Sequence, residues 1–192
     1  MLSFDYIYKK MISQILISLT QQLNDYLKLH FKLKEDIAFL SPPKDSTNTF
    51  PTNRISLFII NLEKENVGGL NFNRQSVSDS SSRKTVSSWQ VNVYILISAV
   101  FLEKQYRESL QIMSGVLSFF QRNNSLSVQG DNDSVSIEMV NLSFHELSNV
   151  WSILGGSYYP SILCKIRTIT IDELLEHFAA VFIGVGADCL HL

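Results

Sequence analysis

The chain has 192 residues, of which 45% are hydrophobic and 18% charged, a composition typical of one packed domain and not of a disordered chain. Its 16 Lys and Arg against 18 Asp and Glu give a formal net charge of -2, so it lacks the positive field that nucleic-acid binding needs. We therefore expect a single domain over residues 1–192 that binds neither nucleic acid nor membrane. Its two cysteines, Cys164 and Cys189, show no disulfide framework and no metal or redox spacing, so we expect the chain to be cytoplasmic at synthesis.

The first predicted element is an amphipathic helix. Lys9 and Lys10 precede the apolar run "MISQILISL" and imitate a signal peptide, but Gln14 interrupts the run and "TQQLNDY" follows in place of a cleavage site. The apolar residues share one helical stripe, namely Ile12, Ile15, Leu16, Leu19, Leu23, Tyr26 and Leu27. The pattern predicts a helix packed on a core.

Two strands are predicted next. A proline-rich loop over residues 40–53 leads into "RISLFIINLEKE" (residues 54–65), whose apolar residues lie on both faces and predict a strand covered on both sides. Residues 66–88 are rich in Ser, Asn and Gly and predict a flexible loop. "WQVNVYILISAVF" (residues 89–101) alternates with a period of two and predicts the second strand.

A second long helix and a third strand follow. Residues 103–122 have helical periodicity. The expected core stripe is Tyr106, Leu110, Met113, Leu117 and Phe120, widened by Ile112, Val116 and Phe119. Residues 134–142, "SVSIEMVNL", then predict a strand with Val135, Ile137 and Met139 facing the core.

The stretch "NLSFHELSNVWSILGGSYYPSILCKIR" (residues 141–167) predicts a short helix and contains residues typical of a helix start and of a helix end. Ser143 and Glu146 have the spacing of a capping box, in which each side chain bonds the backbone N–H of the other residue. Gly155 and Gly156 supply the left-handed residue that ends a helix. The sequence therefore predicts about three turns of capped helix.

A last core strand is predicted after Pro160, which stops the helix from resuming. "SILCKIRTITI" (residues 161–171) alternates, with Cys164 inward and Lys165 and Arg167 outward. Residues 172–192 fit either a further strand or a docking arm. The elements together predict an α/β (α+β) fold: a mixed sheet of four to five strands flanked by two long helices and one short capped helix.

Catalytic and metal-binding motifs are missing from the sequence. His30, His145, His177 and His191 make no pair with another ligand at a metal-site spacing. Cys164 alternates inward on a strand, where a thiol behaves as a small hydrophobic group. We predict no catalytic, metal-binding or cofactor-binding residue and no cofactor. A small hydrolase-type enzyme using Cys164 or His177 is the alternative.

The aromatic residues of the stretch point to contacts. Trp151 is read either as the core anchor of the short helix or as an interface residue. Tyr158 and Tyr159 are adjacent in a turn bounded by Gly and Pro, where both rings are hard to bury in one domain, so we predict that they lie at a partner interface. The outward Lys165 and Arg167 are assigned to the same interface.

This stretch closely resembles the hallmark segment of the cap, or tail-terminator, proteins of phage-tail-like contractile injection systems, of the antifeeding-prophage, virulence-cassette and type VI-like kinds. The matching residues are Asn141, Leu142, Ser143, Phe144, Glu146, Leu147, Trp151, Leu154, Gly155, Gly156, Tyr158, Pro160 and Ser161. His145 and Ser148 depart from the pattern. "QQLNDYLKLHF", "ISLFIINLEKEN" and "VNVYILISAVFLEKQYRESLQIMSGVLSFFQ" resemble further parts of the family, so the likeness covers residues 11–171.

The resemblance implies a structural role without catalytic residues. In the family, subunits form hexameric rings that close the distal end of the inner tube and contractile sheath and fix particle length. The implied partners are further copies of the chain and the tube and sheath proteins, with sheath binding by strand addition at the C-terminal tail or a sheet edge as one route. An assembly adaptor or chaperone of the same particle is the alternative. The residues implied to hold the segment together are Asn141, Ser143, Glu146, Trp151, Gly155, Gly156 and Pro160.

Overall fold

A computed structural model describes residues 12–42, 53–65, 89–127, 134–155 and 157–171. The helices are α1 (Ile12–Phe31), α2 (Tyr106–Arg122), which follows a 3-10 turn at Glu103–Gln105, and α3 (Phe144–Ile153). The strands are β1 (Ala38–Leu40), β2 (Arg54–Lys64), β3 (Trp89–Val100), β4 (Ser125–Ser127), β5 (Ser134–Val140) and β6 (Ser161–Ile171). The loop 66–88, the tail 172–192 and Gly156 lie outside the described residues.

The strands form one mixed sheet in the order β1-β2-β3-β6-β5-β4. β1 runs parallel to β2, and every other neighbouring pair is antiparallel. The predicted α/β (α+β) class and its four long strands are confirmed. The two further strands, β1 and β4, have three residues each, too few for a period-two pattern to reveal them.

Helices α1 and α2 cover one face of the sheet and enclose the main core. The predicted stripe of α1 is confirmed, because its central leucines Leu19, Leu23 and Leu27 are fully buried. They pack against the apolar residues of β2, β3 and β6 that point to this face, including Leu57, Ile95 and Ile166. Burial of apolar surface, at roughly 25 cal/mol per Å², is what stabilises this layer.

The predicted stripe of α2 is partly wrong. The helix turns a different part of its apolar arc to the core: Ile112, Met113, Val116 and Phe119 are buried, whereas Tyr106, Leu110 and Leu117 are exposed. The reason is a close approach of α1 at Gly115, where an added Cβ would lie 2.5 Å from Cε2 of Phe31. A wide apolar arc permits several rotations of a helix, and the neighbouring helix selects one.

Two predictions of core residues also need correction. β2 is covered on both sides only in its first half, because Ile59 and Leu62 are exposed beyond Phe58. Met139 on β5, predicted inward, is 52% exposed. Met139 pairs with Cys164 of β6 on one side, but it lies beyond the segment of β5 that β4 covers, which ends at Ser136, so its other side has no strand among the described residues.

Candidate functional site

The face of the sheet opposite α1 and α2 carries three cross-strand rows of different chemistry. The first row is Ser56, Ser98 and Ser161, the second is Phe58, Leu96, Leu163 and Val140, and the third is Tyr94, Lys165 and Glu138. Side chains that face each other across neighbouring strands are close enough to interact. This face therefore has a small polar row, an apolar row and a charged row in succession.

Helix α3 packs on the apolar row around Trp151, with the partly buried Leu147 and Val150 beside it. Trp151 is the buried residue of α3, with 3% of its surface exposed, and it packs with Phe58, Leu96 and Leu163. Its indole Nε1 donates to Oγ of Ser161 over 3.3 Å. The structure thus places Trp151 in a second, smaller core on this face, with its polar atom bonded as a buried indole requires.

Both hydrogen bonds of the capping box at the start of α3 are present. The N–H of Glu146 donates to Oγ of Ser143 at 3.3 Å, and the N–H of Ser143 donates to Oε2 of Glu146 at 2.8 Å. The Ser143 hydroxyl also donates to this oxygen at 2.7 Å. Because these donors favour the carboxylate, they hold the pKa of Glu146 below its ordinary value, with the backbone N–H of Ser143 as the main cause.

The other end of α3 stops at glycine. Gly155 has a φ of 98°, a conformation that glycine adopts without steric cost, and its N–H donates to the carbonyl of Ser152 at 3.1 Å. Farther on, the carbonyl of Pro160 accepts from the N–H of Ala99 at 2.9 Å, which aligns the start of β6 with β3. Asn141, before the helix, is exposed.

The two predicted interface tyrosines both contact the indole of Trp151. The ring of Tyr158 lies 5.9 Å from it at 73°, and the ring of Tyr159 lies 5.8 Å from it at 55°. Tyr158 nevertheless remains 59% exposed, whereas Tyr159 is half-buried and burial raises its pKa. Trp151 and the turn that carries the two tyrosines therefore form one packed unit. From this unit Tyr158 presents most of its ring to solvent.

Lys165 and Arg167 lie on the same sheet face but are separated from the tyrosines by the apolar row. The Lys165 Nζ lies 5.4 Å from the ring centre of Tyr94, whose hydroxyl donates to Oε2 of Glu63 at 2.6 Å. Arg167 donates to Oε1 of Glu138 from Nε at 2.8 Å and from Nη2 at 2.6 Å. The pair of Arg167 and Glu138 is exposed and adds little stability, so it is accessible to a partner, whereas Lys165 and Tyr94 are half-buried.

The groups considered for catalysis are poorly placed for it. Cys164 is fully buried, and burial raises the pKa of its thiol to about 12, which disfavours the thiolate that would attack a substrate. His145 is exposed on α3 beside Asn149. Among the described residues, no three His, Cys, Asp or Glu gather closely enough to hold a metal ion, and none of the described helices is long and apolar enough to cross a membrane. His177 lies outside these residues.

Two exposed apolar residues of α3 were not identified from the sequence. Phe144 is 93% exposed and Ile153 is 85% exposed, at the first and last positions of the helix. Ile153 lies about 160° around the helix from Trp151, and this mismatch was a signal available in the sequence. Phe144 precedes Trp151 by seven positions and falls on the same side of the helix, so helical periodicity gave no sign of its exposure. With Tyr158, these two residues make up what we call the α3 surface.

A protein-family model and solved structures resemble this chain. A protein-family model, the Pvc16 N-terminal domain, matches residues 15–180. The chain is similar to the solved sheath/tube terminator of an extracellular contractile injection system, PVC, in its extended state, with a TM-score of 0.57 and 17% identity over 86% of this chain and 58% of that chain. It also matches the tube-terminating cap of the anti-feeding prophage, with a TM-score of 0.49 and 17% identity over 82% of this chain and 55% of that chain.

The search of curated proteins gave no match. At 17% identity the first structural likeness establishes the fold, and the chain spans 58% of the length of that terminator.

Proposed function

The chain belongs to the Pvc16 N-terminal domain family, and from this premise we propose that it is a cap, or tail-terminator, subunit of a contractile injection system. In this role it forms a ring, hexameric in our proposal, that closes the distal end of the inner tube and contractile sheath and fixes the length of the particle. Its partners are further copies of itself and the tube and sheath proteins. It works as part of the assembled particle and carries out no catalysis.

The observation that carries this proposal is the family match over residues 15–180 together with the fold of a solved sheath/tube terminator. A ring suits the task, because a closed ring matches a tube's symmetry on one side and offers no further stacking surface on the other.

The α3 surface supports a role in binding. Large apolar side chains that stay exposed on a short, doubly capped helix do not stabilise the isolated fold, and aromatic residues of this kind are enriched at protein contacts. The capping box and the buried Trp151 hold the helix in place, so Phe144, Ile153 and Tyr158 are presented at fixed positions. We propose that these residues, with Tyr159, Lys165 and Arg167, contact a neighbouring subunit or the tube.

Particles assembled without this chain test the proposal. We expect tubes or sheaths of uncontrolled length in negative-stain images, and restoration of a uniform length when the chain is supplied again. Uniform particles in its absence would contradict a terminator role. Mass spectrometry of purified particles separates a terminator, which stays in the particle, from an adaptor or chaperone, which leaves it.

A further inference from the structure

The side chain of Asn24 takes the place of a neighbouring strand beside β1. Asn24 lies on the core face of α1 and is 5% exposed. Its Oδ1 accepts from the N–H of Ala38 at 2.8 Å, and its Nδ2 donates to the carbonyl of Ala38 at 2.8 Å. Oδ1 also accepts from the N–H of Ile37 at 3.0 Å. The amide therefore makes with Ala38 the two bonds that the backbone of an adjacent strand would make.

These bonds lie at the outer edge of the sheet that the described strands form. Alternate residues of a strand turn their backbone groups to opposite sides, and the carbonyl of Ile37 and the N–H of Ser41 face β2. The N–H of Ile55 donates to the carbonyl of Ile37 at 2.7 Å, and the N–H of Ser41 donates to the carbonyl of Leu57 at 3.0 Å. Ala38 therefore turns its N–H and C=O away from β2, toward the side where another chain would add.

The β1 edge has features that favour pairing with a strand of another chain. Phe39 and Leu40 are both exposed large hydrophobic residues, and β1 carries no charged residue. An edge strand with free N–H and C=O groups and apolar side chains is a template for pairing with another chain. Native proteins close such edges with charges, bulges, prolines or a covering element.

We propose that Asn24 is a lock that closes the β1 edge to strand addition by a second copy of this chain. Asparagine suits this task because one amide supplies both a donor and an acceptor. Burial keeps water from competing, so an incoming strand would have to displace two satisfied buried bonds. Leucine at this position would offer neither group, and aspartate would lack the donor.

The lock has a consequence for assembly that rests on the proposed terminator function. A subunit that ends a tube has to form a closed ring without continuing into open-ended edge-to-edge association. With the β1 edge closed, a partner strand that joins the sheet would do so on the opposite side, where β4 is the last of the described strands. This limits the strand-addition route at a sheet edge to one edge.

The test uses the full chain with Asn24→Leu. We expect the Ala38 amide to exchange with deuterium about tenfold faster or more in dilute solution, as when a buried amide loses its hydrogen bond. At higher concentration we expect species of growing mass in light scattering, with increased thioflavin fluorescence. Asn24→Asp, which keeps both oxygen acceptors but replaces the donor with a charged carboxylate, should give the same change to a smaller extent.

The matched control is Leu23→Ala on the same helix. Leu23 is fully buried, so this change destabilises the fold while leaving the Asn24 amide in place. Compared at equal unfolded fractions, Leu23→Ala should keep the parent mass. Adding Leu40→Lys to Asn24→Leu should restore that mass, because a charge on the edge strand blocks pairing.

Equal association of the Leu23→Ala control would overturn the lock, since instability alone would then explain the effect. Unchanged mass and Ala38 exchange in Asn24→Leu would overturn it too. These measurements need no assembled particle, so a failed terminator test leaves their outcome unaffected.

Discussion

The indole Nε1 of Trp151 donates to Oγ of Ser161, which ties the one buried side chain of α3 to the first residue of β6. The segment between these residues turns back so that Tyr158 and Tyr159 contact the same indole. Trp151 thereby fixes the helix, the turn and the start of the strand relative to one another, and the α3 surface depends on it.

Replacing Trp151 with alanine should destabilise the fold by about 3 to 5 kcal/mol, because it empties the second core and removes the contacts of both tyrosines. The free energy of unfolding from urea titration measures this. Ser161→Ala is the control, since it removes only the indole's hydrogen bond and should cost about 1 kcal/mol. An equal effect of the two changes would mean that the packing around Trp151 adds nothing.

The two tyrosines should behave differently when each is replaced with serine. Tyr158→Ser removes a mostly exposed ring, so we expect weaker association of subunits, or of subunit and tube, with little change in melting temperature. Tyr159→Ser removes a half-buried ring and should also lower stability. Sedimentation velocity and thermal melting separate the two effects. If Tyr158→Ser changes melting but not association, Tyr158 belongs to the core and not to an interface.

Removing the N-cap with Ser143→Ala should cost about 1 kcal/mol at neutral pH, because the N–H of Glu146 loses its acceptor. Ser148→Ala, an exposed change inside the same helix, is the control and should have a small effect. A loss as small as the control's would show that α3 is held by packing alone.

The free energy of unfolding at acidic pH should depend on Glu146. Its pKa in the folded protein lies below the ordinary 4.5, so its contribution is fully present above pH 4.5 and is lost as the pH falls through the lower folded value. Glu146→Gln does not ionise and should show a shallower decline in stability below pH 4.5. Urea midpoints across this range measure the difference, and parallel declines would contradict it.

Gly115→Ala should destabilise the packing of α1 on α2. The new Cβ would lie 2.5 Å from Cε2 of Phe31 and 3.1 Å from Cδ2 of Leu27. Overpacking typically costs about 1 to 3 kcal/mol, which exceeds the gain of about 1 kcal/mol in helix propensity. Adding Phe31→Leu should recover stability by making room. A stabilising single change would mean that the two helices separate freely.

Cys164 should resist alkylation in the native protein. Its burial and its pKa of about 12 leave almost no reactive thiolate at neutral pH. In a Cys189→Ser background, mass spectrometry should find iodoacetamide on Cys164 only after unfolding by urea. Rapid labelling of the native protein would instead favour the enzyme alternative.

The sequence by itself determined the order of the long elements, the core stripe of α1 and both ends of α3. These features are local: a period of 3.6 or two residues marks which side of an element is apolar, and the bonds between Ser143 and Glu146 join residues three positions apart. The alternation of residues 161–171 likewise predicted that Lys165 and Arg167 lie on the outer side of β6.

Tertiary structure alone decided the two edge strands, the rotation of α2, the contact of both tyrosines with Trp151 and the bonds of Asn24 to Ala38. Each depends on residues that are not neighbours along the chain, such as the 14 positions between Asn24 and Ala38 or the 29 between Glu138 and Arg167. A short strand has too few residues to show a period, and an amide on a helix does not reveal which backbone it will meet. Those pairings are settled only when the helices and the sheet pack together.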